Sequence, residues 1–257
     1  MGFLPKSQTT AIATHSNEDI VIRDKSLCND LIGKLTFTEM IYFQILGRIP
    51  SNSQCRAIDA CLITLMEHGL TPSALASRLV YSSAPESIQG ALASGLSGVG
   101  SVFVGTIEGS AVLIDRLLKT KNEIGYEAEL IASEFFKAGR PLPGFGHHMH
   151  KPDDPRTSCL FDLAEEHGIS GSHVEAIKLL SIKIDEIFGK HITINATGAV
   201  AAVLGDCDVP VKIMRGFALI SRAVGLVGHI HEEQNKPAMR AIWEASASAI
   251  PYATQIE

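Results

Sequence analysis

Val174-Glu175-Ala176-Ile177-Lys178-Leu179-Leu180-Ser181-Ile182-Lys183-Ile184-Asp185-Glu186-Ile187-Phe188 decides the fold class of this chain. Val174, Ile177, Leu180, Ile184, Ile187 and Phe188 recur at the spacing that lines one face of an α-helix, and Lys178, Lys183, Asp185 and Glu186 fall off that stripe. Gly171-Ser172 ahead of the run reads as a cap and Gly189 behind it as a stop. The same period predicts helices over 37–47, 54–67, 72–80, 85–97, 107–119, 124–138, 158–167, 198–205, 211–230 and 237–247. Strand signals are confined to Ile20–Ile22 and Ile192–Ile194, short β-branched runs suited to small edge strands. The pattern is that of a nearly all-α protein.

The chain has 257 residues and is 46% hydrophobic, enough to bury a substantial core. Its net charge is −6 with no block of like charges, which argues against a nucleic-acid partner. The five cysteines (Cys28, Cys55, Cys61, Cys159, Cys207) are scattered, with no CxxC pair and no signal peptide, a pattern of reduced thiols in a cytoplasmic protein. Cys55 and Cys61 read as small buried hydrophobes. No apolar run nears the ~20 residues that span a bilayer, so no membrane partner is expected. Residues 1–18 are polar and are expected to pack poorly.

Glycine and proline interrupt the helices at Gly47–Pro50, Gly69–Pro72, Gly139–Pro155 and Asp206–Pro210. The third interruption is the longest, and long loops in compact helical domains tend to carry function. It reads Pro143-Gly144-Phe145-Gly146-His147-His148-Met149-His150-Lys151-Pro152-Asp153-Asp154-Pro155-Arg156. Gly-x-Gly lets backbone N–H groups approach a ligand closely. His147 can pass a proton near neutral pH, Arg156 offers a planar fork to a carboxylate, and Lys151 a point charge to a phosphate. Three histidines invite a metal reading, but no cysteine or HExxH spacing accompanies them; no metal is expected, and His148 and His150 read as solvated.

Two further segments stand out. Glu67-His68-Gly69-Leu70-Thr71-Pro72-Ser73 sets a histidine between two helices, where it could be no more than a helix C-terminal cap. Ile192-Thr193-Ile194-Asn195-Ala196-Thr197-Gly198-Ala199 is followed by Arg222 within the apolar run Leu219–Val227. A snorkelling stem would explain Arg222 blandly; a charge in so apolar a helix favours a carboxylate partner. Arg156 could likewise merely pair with Asp153 or Asp154.

From about Ile20 to Trp243, Gly-Phe-Gly-His, Asp-Pro-Arg and the two outlying segments, in this order, resemble the citrate synthase superfamily. The resemblance is closest to its citryl-CoA lyase branch, which also forms the C-terminal module of ATP-citrate lyase. It implies an all-α fold with a large helical domain (1–110 and 209–257), a small one (111–208), and the active site in the cleft between them. It implies a homodimer, with a partner residue entering the site; Arg240 or Lys236 could fill that part. It assigns His68 and His147 to the substrate's keto-acid part, Arg156 and Arg222 to its carboxylates, and Gly144, Phe145, Gly146 and Lys151 to coenzyme A. A CoA thioester is then a substrate, and the reaction makes or cleaves a C–C bond, as in citryl-CoA going to acetyl-CoA and oxaloacetate.

Two positions depart from the family. Citrate synthases carry a histidine before Gly-Gly, and the aligned stretch Ser101-Val102-Phe103-Val104-Gly105 has Val104 at that point. Lyase modules lack that histidine too. The catalytic aspartate of Asn-Val-Asp-Gly is Thr197 here. A threonine hydroxyl is too weak a base at neutral pH, and losing a general base forfeits ~10²–10⁴ in rate. Either Glu67, Asp153 or Asp206 enters the site, or the substrate is another 3-hydroxyacyl-CoA needing no such base, or the chain binds CoA thioesters with little turnover.

Overall fold

A computed structural model describes residues 9–253. The predicted N-terminal strand is present and belongs to a small antiparallel sheet: β1 (Ala13–His15), β2 (Ile20–Ile22) and β3 (Lys25–Ser26), in that order. Neither β1 nor β3 has a β-branched run long enough to announce it; pairing with β2 makes them strands. Residues 9–18 are exposed, as their polarity predicts, and residues 1–8 lie outside the described part.

Eleven α-helices follow among the described residues. The first six are α1 (Phe37–Leu46), α2 (Asn52–Met66), α3 (Pro72–Ser83), α4 (Ile88–Ser97), α5 (Thr106–Lys119) and α6 (Ile124–Ala138). The remainder are α7 (Pro155–Glu166), α8 (Ser172–Phe188), α9 (Ala196–Asp206), α10 (Met214–Asn235) and α11 (Met239–Ala249). Thr36 with Glu39 and Ser51 with Gln54 form reciprocal capping boxes that start α1 and α2. Left-handed glycines, Gly139 and Gly189, end α6 and α8.

At the centre is α9, whose residues Gly198 to Gly205 are all buried. Small side chains let α2, α5, α7 and α8 close around it. Asp206 ends it and accepts from the N–H groups of Gly171, His173 and Val174, the first donors of α8.

Two sequence expectations are corrected. Ile192–Ile194 forms no strand: Ile194 makes a single bridge to Phe145, because its neighbour is an irregular loop. And one apolar helical run, Val211–Asn235, is long and apolar enough to cross a membrane by length and composition. It nonetheless buries Ser221, Arg222 and Glu233 and packs on α2, α3, α4 and α5, as a core helix does.

Candidate active site

The loop 143–156, the turn after α2 and the start of α9 meet around one cavity of about 370 Å³. His68, His147, Arg156, Thr197 and Arg222 line it, as do Gly144, Phe145 and Gly146. Lys151 is exposed and outside the cavity wall.

Backbone contacts fix the glycine loop to α9. Gly146 N–H donates to the Thr193 carbonyl at 2.7 Å, Asn195 N–H to that of Gly144 at 3.0 Å, and the Asn195 amide to that of Gly146 at 2.9 Å. Gly144 has φ +85°, and a Cβ on Gly198 would stand 2.4 Å from the Gly144 carbonyl oxygen. Gly144 is therefore required by its left-handed backbone and Gly198 by close approach.

His147 is held by its own loop. Its Nδ1 accepts from the N–H groups of Met149 (3.2 Å) and His150 (3.0 Å). The neutral ring consequently carries its proton on Nε2, as a donor. Its ring lies 5.6 Å from that of His68, edge to face, and is stacked on that of His150 at 4.3 Å. His150 is thus half-buried in the cluster and not the solvated residue expected from sequence. His68, His147 and His150 bring ring nitrogens within 4.8 Å of one another. One feature works against a metal here: the Nδ1 lone pair of His147 is engaged by two backbone N–H groups.

The two arginines differ. Arg156 forms a two-pronged pair with buried Asp154, through Nε at 2.9 Å and Nη2 at 2.7 Å. Burial raises the Asp154 carboxyl, but the Arg156 pairing and backbone donors outweigh it and hold the group below its usual range. Arg222 is only 3% exposed, and its Nε and Nη1 are buried without a hydrogen-bond partner. Burial, only partly opposed by Glu67, lowers its pKa from the arginine value. A buried guanidinium with idle donors is costly unless a ligand supplies an anion.

Burial and then the nearby Arg156 lower the pKa of His68; burial and then His150 lower that of His147. Thr197 donates to Asn195 Oδ1 at 2.8 Å and lies 2.9 Å from Thr106 Oγ1, so Thr106 is the donor of that pair. Thr106, Phe103 and Asn195 line the cavity without having been singled out in the sequence as site residues. Asn195 caps α9 through its side chain, which accepts from the N–H groups of Thr197 and Gly198; Thr106 and Phe103 carry no local signal in the sequence.

No aspartate or glutamate lines the cavity among the described residues. Asp206 is committed to the start of α8 and to His173. Asp153 pairs with His191, whose other nitrogen meets Asp185. Glu67 accepts from the N–H groups of His68 and Gly69 and faces His229.

The model of the citrate synthase C-terminal domain matches residues 6–243. The chain belongs to the citrate synthase family. It is 25% identical over 210 residues to ATP-citrate synthase beta chain protein 1 of Oryza sativa, covering 73% of this chain and 33% of that protein. It is 23% identical over 238 residues to a citrate synthase of Synechocystis, covering 87% and 57%. The chain spans about half the length, or less, of most curated relatives it matches. Among solved structures it resembles citryl-CoA lyase from Hydrogenobacter thermophilus, with TM-score 0.86, 29% identity and coverage of 98% of this chain and 96% of that one. ATP citrate lyase of Methanosaeta concilii in complex with (3S)-citryl-CoA shares the fold, with TM-score 0.79, 21% identity and coverage of 99% and 43%.

Proposed function

We propose that this chain is a citryl-CoA lyase-like enzyme that cleaves citryl-CoA, or a related 3-hydroxyacyl-CoA, to acetyl-CoA and a keto acid. The observation that carries the proposal is the cavity's charge: two guanidinium groups (Arg156, Arg222) and three imidazoles (His68, His147, His148), with no carboxylate among them. Such a cavity suits a polycarboxylate. In this reading Arg222 and the free edge of Arg156 clamp the substrate carboxylates. Gly144, Phe145, Gly146 and Lys151 serve the coenzyme A end.

His68 and His147 divide the work. His147, with its proton on Nε2, donates to the oxygen of the tertiary alcohol and stabilises charge developing there. The ring of His68 makes no hydrogen bond among the described residues, so a bare nitrogen is available to take the hydroxyl proton. The C–O bond then becomes a carbonyl as the C–C bond breaks, its electrons entering the thioester enolate. The proton on His68 passes to the enolate carbon, giving the acetyl methyl group. This shuttle needs no carboxylate at Thr197.

Val104, where the resemblance puts the family's missing histidine, has φ +61°, a conformation natural to glycine. The division into domains 1–110 with 209–257 and 111–208, the homodimer and the cytoplasmic setting are part of the same proposal; residue 111 falls within α5.

The test is incubation with citryl-CoA, with oxaloacetate followed through malate dehydrogenase and its reduced coenzyme. Turnover abolished by His147→Ala supports the enzyme. Binding of citryl-CoA without turnover supports the second reading, a CoA-thioester-binding or regulatory protein on the same scaffold, which Thr197 favours.

A further inference from the structure

Behind the cavity, charged and polar groups are packed between α3 and α10 where an apolar contact would be cheaper. Arg78, on α3, is 3% exposed. Its Nε donates to His229 Nδ1 at 2.9 Å, its Nη1 to Glu233 Oε2 at 2.8 Å, and its Nη2 contacts Glu232. Because arginine can only donate, His229 Nδ1 carries no proton, and the neutral ring keeps its proton on Nε2. That Nε2 is buried, has no well-aligned hydrogen-bond partner, and lies 3.1 Å from Glu67 Oε2. The other oxygen of Glu67 accepts the N–H groups of His68 and Gly69, at 2.8 and 2.6 Å.

Arg222, Gly225 and His229 follow one another up one face of α10. Arg222 enters the cavity. Gly225 lets the helix touch the end of α2: a Cβ there would stand 2.1 Å from the Met66 carbonyl oxygen. His229 meets the next residue of that turn.

We propose that Arg78 and His229 are positioning residues for the active site, acting through the Glu67 carboxylate to fix the backbone of the Glu67–Gly69 turn and so the place of the His68 ring. The inference deepens the proposed function, since it matters for catalysis only if His68 handles the substrate. Mere cross-bracing of α3 to α10 needs only the Arg78–Glu233 pair. It gives no reason for His229 to be turned toward Glu67, or for Glu67 to spend its second oxygen on the backbone of the one histidine in the cavity wall from this turn. Glu67 itself responds to this setting: burial raises it, and His229 and the two backbone donors more than offset that, leaving the carboxyl below its ordinary value.

The experiment is histidine-ring NMR on the substrate-free protein, with His68 assigned by its loss in His68→Gln. In the wild type, His229 should show a bare Nδ1 and a protonated Nε2. Glu67→Gln, nearly isosteric, and His229→Leu should shift the His68 ring signals and leave the fold intact by circular dichroism. With citryl-CoA, kcat/KM should fall by up to about 10²-fold in both variants. The conservative His229→Gln, which retains a donor, should recover part of that loss. The opposite His229 tautomer in the wild type, or unmoved His68 signals in the folded variants, overturns the proposal. The NMR readouts need no turnover, so a chain inert toward citryl-CoA would sink the proposed function and leave the relay standing.

Discussion

The ring of His68 stands edge-on to the ring of His147, 5.6 Å between centroids and 77° between planes. One comes from the turn after α2 and the other from the glycine loop before α7, so the pair exists only in the folded chain. With Arg222 and Arg156 around it, the pair forms a polar cluster in the cavity wall whose cost to the fold a bound anion would offset.

Arg222 keeps two idle donors in a buried position. Replacing it by methionine removes a desolvated charge and keeps the volume, and should stabilise the ligand-free protein by at least about 1 kcal/mol. For a chain of this size that is a rise of roughly 2–4 °C in melting temperature. Thermal unfolding with and without citryl-CoA checks it: the ligand should protect the wild type and leave Arg222→Met unprotected. A lowered melting temperature in the variant would mean that Arg222 is paired within the protein.

His68 and His147 are held below the ordinary histidine pKa of about 6.5, chiefly by burial, with Arg156 next for His68 and His150 for His147. A lowered pKa in the folded state means the unfolded chain binds protons more readily. Their contribution to stability is therefore fully present above about pH 6.5 and is lost as pH falls through the folded-state values. Ring-proton titration of the two histidines should give midpoints below 6.5. Midpoints at or above it would contradict the neutral, proton-donating His147.

Much of the helical scaffold was legible in the sequence because amphipathic period and caps act locally: α6 and α8 could be read from spacing and glycine stops alone. The sheet was only partly legible, since β1 and β3 are strands by virtue of pairing with β2. The residues of the glycine loop, His68, Thr197 and Arg222 could be picked out, but not what surrounds them. That Asp206 and Asp153 turn away from the cavity depends on hydrogen bonds to α8 and to His191, which no local pattern encodes. The partner of His229 is likewise set by how α10 crosses the end of α2.

Gly198 and Gly144 touch backbone to backbone. Gly198→Ala would force the glycine loop off α9 and should destabilise the protein by about 1–3 kcal/mol. Because the loop carries His147, activity should fall further than stability alone explains. Urea unfolding alongside turnover at a temperature where the variant is folded separates the two effects; unchanged values for both would contradict the contact.

Val104 is a β-branched residue in the left-handed region, at φ +61° in the cavity wall. Such strain costs on the order of 1–3 kcal/mol, part of which glycine returns as lost chain entropy. Val104→Gly should raise the unfolding midpoint, and Val104→Ala should not. A lower midpoint for the glycine variant would show that the valine side chain's packing outweighs the strain.

The proposed function requires that this cavity hold a polycarboxylate thioester between its two arginines. The most direct measurement is the structure of the chain with citryl-CoA, or its cleavage products, bound. The expected result is one carboxylate within hydrogen-bond distance of Arg222 Nε or Nη1, a second at the free edge of Arg156, and the hydroxyl or carbonyl oxygen at His147 Nε2. An acyl group outside the cavity, or inside it with Arg222 still unpartnered, would contradict it.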